Sequence, residues 1–279
     1  MAQGQNKTDE IQMSTHRYSD TLDLDFYTLT SQKDNASRPL VVLLYGGGFV
    51  GGRKDGPGEI KFSKTMASFG YAAVSINYAL TRKGTKTGFG CDCPATDKME
   101  TFKRAALDVV DAVEYLKKGD FNFDAKKIIL VGSSAGAEAI LHAAYQQRHP
   151  FYSDIFPEDF KVAAAVSFAG AITDARYINK DTAIPGLFIH GEADNLVPFG
   201  TDAHHFCDTD KPGFIMLDGA ETIAHKLKEL NTSYALYRAP GGKHEWSGIG
   251  FNFTDEIHDF IETVVVKGEE IQIEELVRE

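Results

Sequence analysis

The chain has 279 residues, 43% hydrophobic and 25% charged, with a formal net charge of −11. Those proportions are those of an ordinary globular protein with a packed core and exclude a disordered chain. The acidity, with no dense run of Lys and Arg, argues against a nucleic-acid partner, and no stretch approaches the roughly 20 apolar residues of a bilayer span.

At this length an α/β chain is expected to bury one core, so residues 19–279 read as a single domain. The residues before Ser19 are polar and aperiodic and are expected to form a flexible lead-in. Met1 to Lys7 lack the basic-then-apolar pattern of a signal peptide, although a mature exported protein with an added initiator Met would look the same. Residues 21–28 alternate, with Leu22, Leu24 and Phe26 on one side, and predict a half-buried strand near a sheet edge. The continuous apolar run 40–45 predicts a buried strand that feeds Gly46-Gly47-Gly48. Short apolar runs at 71–78, 127–131, 162–168, 186–190 and, more weakly, 233–238 predict further strands.

Helical patterns lie between them. Phe102, Ala106, Val109, Val113 and Leu116 recur at three- and four-residue spacing, closed by Gly119. Residues 135–147, 221–230 and 253–265 give three more. Strands alternating with helices imply right-handed crossovers and a mostly parallel central sheet flanked by helices. Residues 79–99 and 199–217 break the alternation and read as long loops over the C-terminal edge of the sheet, where ligands bind in such folds. The acidic tail from Lys267 onward is expected to be peripheral.

Four segments carry chemistry. Gly132-Ser133-Ser134-Ala135-Gly136 falls between a predicted strand and a predicted helix. A turn that sharp needs glycine at both ends and holds its central Ser134 hydroxyl out at a helix N-terminus, as a nucleophile requires. Tyr45-Gly46-Gly47-Gly48-Phe49 can bring backbone N–H groups close to a developing oxyanion, so Gly47 and Gly48, with Ala135, are the candidate hole. Asp194 follows the predicted strand 186–190 and is the candidate acid, with Glu192 and Asp174 as competitors. His244 lies in a glycine-bearing loop after the last predicted strand and is the candidate base. The order serine, acid, histidine singles it out from His142, His149, His190, His225 and His258, which read as structural. His204-His205-Phe206-Cys207 lacks a second cluster to complete a metal site, so no metal is expected. Cys91, Cys93 and Cys207 allow at most one disulfide. The spacing of the first two favours Cys207 with either of them, and three free thiols remain an alternative.

These segments resemble those of the α/β-hydrolase esterases: YGGGF is similar to their HGGGF motif, GSSAG to their nucleophile turn, and HGEADNLVP with GGKHEW to their acid and base segments. The resemblance spans residues 40–248, including the PGFIML stretch, and is closest to bacterial carboxylesterases of the feruloyl esterase and acetyl-xylan-esterase type. It implies an α/β-hydrolase fold and a serine carboxylesterase without metal or organic cofactor. Its partner would be a small-molecule or polysaccharide ester, and export to a secreted or periplasmic location would be frequent, with the cytoplasm as the alternative. Tyr45 departs from the family's usual His and Ala137 from its usual last Gly. No Cys immediately precedes Ser134 or His244, which argues against the tannase-type subgroup. Phe49, Tyr78 and Trp246 are candidate walls of the substrate pocket. A serine peptidase of the same fold, or a non-catalytic binding protein that keeps it, are the competing readings.

Overall fold

The structure is a computed structural model that describes residues 9–278. Residues 1–8, with the first part of the expected lead-in and all of Met1 to Lys7, lie outside the described residues. The rest of the lead-in is not loose. Ile11–Arg17 form strand β1, antiparallel to β2 (Asp23–Leu29) from the pair Ile11–Leu29 to the pair Arg17–Asp23. β1 is held by main-chain bonds rather than by apolar burial, so it carries no hydrophobic period to read.

The chain then runs through β3 (Leu40–Leu44), α1 (Pro57–Ser68), β4 (Ala72–Ile76), α2 (Ala95–Lys118), β5 (Ile128–Ser133), α3 (Ala135–Tyr145), β6 (Ala164–Phe168) and β7 (Ala171–Ile172). It continues with β8 (Gly186–Gly191), β9 (Thr201–Ala203), β10 (Met216–Gly219), α4 (Ala220–Glu229), β11 (Tyr234–Ala239), α5 (Trp246–Ile249), α6 (Thr254–Phe260) and β12 (Gln272–Leu276). Among the described residues a nine-stranded sheet takes the order β1-β2-β4-β3-β5-β6-β8-β11-β12. Only β1–β2 and β2–β4 pair antiparallel; the other pairs are parallel, as the alternation of strands and helices predicts.

Because successive strand residues face opposite sides, the central strands feed two cores. Leu40, Val42 and Leu44 of β3 pack with Phe102, Val109 and Val113 of α2 and Ile140 and Leu141 of α3. Val41 and Leu43 face the other way, toward Phe62 and Met66 of α1 and Ile257 and Phe260 of α6. The sequence patterns did not anticipate α1, whose start is crowded by Gly51, Gly52, Gly56 and Gly58. Pro57 at its first turn tolerates the missing N–H, and its buried residues Phe62, Met66 and Ala67 make the contact that holds it. The acidic tail is peripheral as expected, yet residues 272–276 extend the sheet alongside β11.

The two long loops are more ordered than expected. Residues 201–203 and 216–219 pair as β9 and β10 in a small sheet with β7. A Cys91–Cys207 disulfide joins the two loops and leaves Cys93 buried and unbridged. Lys98, buried at the start of α2, donates from Nζ to Gly213 O over 2.8 Å and gives a second tie.

Candidate active site

Ser134 sits between β5 and α3 with φ 50° and ψ −122°, a left-handed conformation costing about 1–3 kcal/mol that the neighbouring structure must impose. The glycines show how. A Cβ on Gly132 would collide with the carbonyl of Gly136, and one on Gly136 with the carbonyls of Leu44 and Tyr45, so the turn closes only without side chains there. Ser134 N donates to Phe168 O over 2.8 Å and locks the turn to the end of β6.

The turn presents Ser134 Oγ 2.8 Å from Nε2 of His244. On its other side His244 Nδ1 lies 2.8 Å from Oδ2 of Asp194, which as a carboxylate only accepts, so Nδ1 carries the proton and Nε2 is free to take one. Asp194 is buried after β8, and its Oδ1 accepts from the N–H groups of Leu196 (2.8 Å) and Val197 (3.0 Å). Burial pushes its carboxyl up, but hydrogen bonds from His190 and His244 outweigh that and hold it well below the usual carboxylate range. His190 is thus more than a core histidine. Its Nε2 lies 3.2 Å from Asp194 Oδ2 and 3.1 Å from Val197 O. The competing acids are engaged elsewhere: Glu192 accepts from Arg238 at 2.6 Å, and Asp174 caps a turn and pairs with Arg176 at 2.6 Å.

Gly46, Gly47 and Gly48 line a cleft of about 310 Å³ together with Ser134 and His244. Gly47 (φ 124°), Gly48 (φ 59°) and Phe49 (φ 57°) all turn left-handed, and a Cβ on Gly47 would strike Gly51 O, so the loop coils tightly beside Ser134. Tyr45, at the position of the family's histidine, lies behind the loop. Its ring stacks on Tyr78 at 4.6 Å, and Tyr78 Oη donates to Tyr45 O over 2.9 Å.

The three residues expected to wall the pocket do not line it. Phe49 is wholly buried against Phe89 (4.7 Å) and Tyr78 (6.0 Å), where it buttresses the glycine loop from below. Tyr78 holds the same loop, and Trp246 is buried under the His244 loop, where a Cβ on Gly242 would meet its indole. Aromatics next to a motif are packed to fix the motif; the walls come from elsewhere. Phe89 from the first long loop, Leu196 and Val197 after β8, His204 and His205 from the second, and Glu138 of α3 line the cleft. Glu138 was open to detection as the one acid in the otherwise apolar segment AGAEAIL, four residues past the serine. Among the described residues no group of three or more His, Cys, Asp and Glu is placed to hold a metal ion, and His204 lies against Glu138 instead.

A mostly parallel sheet carrying a serine on a strained turn after β5, an acid after β8 and a histidine after β11, hydrogen-bonded in series, defines the serine-hydrolase class of the α/β-hydrolase fold. The sequence model of the BD-FAE family matches residues 24–174, more than half of the chain, and the chain belongs to that family. No curated protein matches it in sequence. Among solved structures it resembles Thermogutta terrifontis esterase 2 phosphorylated by paraoxon, at 19% identity and a TM-score of 0.61 over 93% of this chain and 95% of that one. The propionate-bound form of that esterase matches at 19% identity and 0.59 over 94% and 95%. MGS-M1, an alpha/beta hydrolase enzyme from a Medee basin deep-sea metagenome library, matches at 16% identity and 0.55 over 90% and 100%. At these identities the likeness is one of fold.

Proposed function

We propose that this protein is a carboxylic ester hydrolase working through an acyl-enzyme on Ser134, and that it removes acetyl or feruloyl-type aryl groups from plant polysaccharides or small esters. The observation that carries the reading is the unbroken chain from Ser134 Oγ through His244 to Asp194, 2.8 Å at each step. His244 takes the serine proton as Oγ attacks the ester carbonyl. N–H groups of Gly47, Gly48 and Ala135 stabilise the oxyanion, Ala135 from the first turn of α3, where the helix dipole adds to the effect. The alcohol leaves with the proton from His244, and water repeats the cycle on the acyl-serine. Asp194, kept ionised, holds the tautomer and offsets the imidazolium charge.

Thermogutta terrifontis esterase 2 was solved with propionate and with butyrate bound, which favours short acyl groups for this chain as well. The Cys91–Cys207 disulfide supports export to an oxidising compartment. The test compares hydrolysis of p-nitrophenyl acetate and butyrate, methyl ferulate and acetylated xylan by the wild type and by Ser134→Ala. The variant should lose on the order of 10⁴-fold or more of the rate. Paraoxon should inactivate the wild type by modifying Ser134. Turnover surviving in Ser134→Ala would refute the assignment, and the substrate ranking would decide between acetyl and aryl esters.

A further inference from the structure

One turn along α3 from the serine, Glu138 lines the same cleft, and His204 lines it from the second long loop. Glu138 is 2% exposed and His204 is fully buried. Nε2 of His204 lies 3.1 Å from Oε1 of Glu138, but the two are not aligned as a hydrogen bond. Among the described residues, Glu138 Oε1 and both ring nitrogens of His204 have no hydrogen-bond partner. The His204 ring is packed by His205 at 4.3 Å, Phe89 at 5.3 Å and Phe102 at 6.0 Å. Lys98, whose charge acts on both groups, is committed to Gly213 O.

Burial pushes the Glu138 carboxyl up to about 8, and burial together with Lys98 pushes the His204 imidazole down, so both are neutral near neutral pH. A neutral carboxyl and a neutral imidazole each offer one donor and one acceptor. Left unmade in a buried site, such bonds cost about 1–3 kcal/mol per group, and an apolar substrate leaves them unmade. A substrate hydroxyl, itself donor and acceptor, satisfies both partners at once. This asymmetry is what lets a polar pocket reject an apolar isostere more sharply than an apolar pocket rejects an extra hydroxyl.

We propose that Glu138 and His204 form a hydrogen-bonding pair that selects esters bearing a hydroxyl close to the ester group over their methyl isosteres. The inference rests on the esterase reading and narrows its substrate class. Neither residue belongs to the Ser134–His244–Asp194 chain, so their role is specificity, read out in kcat/KM ratios between matched esters.

The test uses two isosteric pairs, each normalised to its alkaline hydrolysis rate. Methyl 3-hydroxybutyrate against methyl 3-methylbutyrate places the hydroxyl on the acyl side, and 2-hydroxyethyl butyrate against propyl butyrate places it on the alcohol side. The wild type should prefer the hydroxylated member of at least one pair by about 10-fold, and the pair that shows it tells which side of the ester faces Glu138. Glu138→Gln keeps a donor and an acceptor and should retain most of the preference. Glu138→Leu and His204→Phe should each bring the ratio to within about 2-fold of unity. Should one of these two fail to fold, the other and the wild-type ratio decide. Wild-type ratios near unity in both pairs, or ratios unchanged in the apolar variants, overturn the inference while hydrolysis of p-nitrophenyl butyrate keeps the esterase reading intact. Failure to hydrolyse any of these esters overturns both.

Discussion

Asp194 accepts two backbone N–H bonds and one from His244 Nδ1, with His190 Nε2 at 3.2 Å, and this is what separates it from Glu192 beside it after β8 and from Asp174 after β7. The backbone pair fixes the carboxylate's plane, and His190 and His244 keep it charged. Asp194→Asn keeps the shape but presents an amide to Nδ1, which favours the wrong tautomer. It should lower kcat on p-nitrophenyl butyrate by on the order of 10⁴-fold, and a loss of less than about 10-fold would mean that Asp194 serves only the turn. Glu138 makes a different prediction. Its folded pKa of about 8 lies above its ordinary 4.5, so as pH rises past 4.5 the unfolded chain releases the proton first and the folded state is progressively disfavoured until about 8. Urea midpoints of wild type and Glu138→Gln should therefore run together near pH 4 and diverge towards pH 8, the wild type falling away. Parallel curves would show that the carboxyl is charged and paired in the fold.

Among the elements, the nucleophile turn is the least tolerant. Gly136 lies against the carbonyls of Leu44 and Tyr45, so Gly136→Ala must displace either α3 or the end of β3. It should cost about 1–3 kcal/mol in urea unfolding and lower kcat as well, because the same displacement moves Ser134 and the glycine loop relative to each other. The disulfide makes the second prediction. It closes a separation of 116 residues, and its reduction should lower stability by about 2–4 kcal/mol. It should also raise KM, since the loops it joins supply Phe89, His204 and His205 to the cleft. Unchanged KM with lowered stability would confine the bridge to a structural role. The elements read most plainly from sequence are those whose period reports burial: β3 and β5 lie within a few residues of their apolar runs, and α2 carries its pattern but starts at Ala95, inside the segment expected to be loop. β1, β12 and α1 were hidden because edge pairing leaves no apolar alternation and a glycine-rich entry looks like loop.

For the molecule as a whole, the catalytic chain was legible because its parts are local signatures in a fixed order, each a turn at the end of a strand. The cleft walls were not, since their residues come from α3 and from loops that meet only in the folded chain, and a single sequence carries no mark of that meeting. The same assembly buries His142 and His204 and half-buries His205. Burial lowers all three, His142 and His205 to about 3. An imidazole kept neutral in the fold but free to charge when unfolded costs stability as pH falls below its ordinary 6.5, and the loss continues down to the folded value. Stability should therefore decline from about pH 6.5 toward pH 3, and a triple variant replacing these histidines with apolar residues of similar size should lose that slope in chemical unfolding. A slope unaltered by the substitutions would assign the acid sensitivity to carboxylates instead.

The Cys91–Cys207 bridge has a consequence for how such a protein diversifies. Ser134, Asp194 and His244 hang from strand ends of the sheet, whereas much of the cleft wall hangs from two loops stitched to each other. Exchanging either loop alone for that of a relative would strand one half of the stitch, while exchanging both moves a self-consistent unit. The two segments thus form one covalently joined unit, and exchanging them together should leave the sheet and its reacting groups as they are.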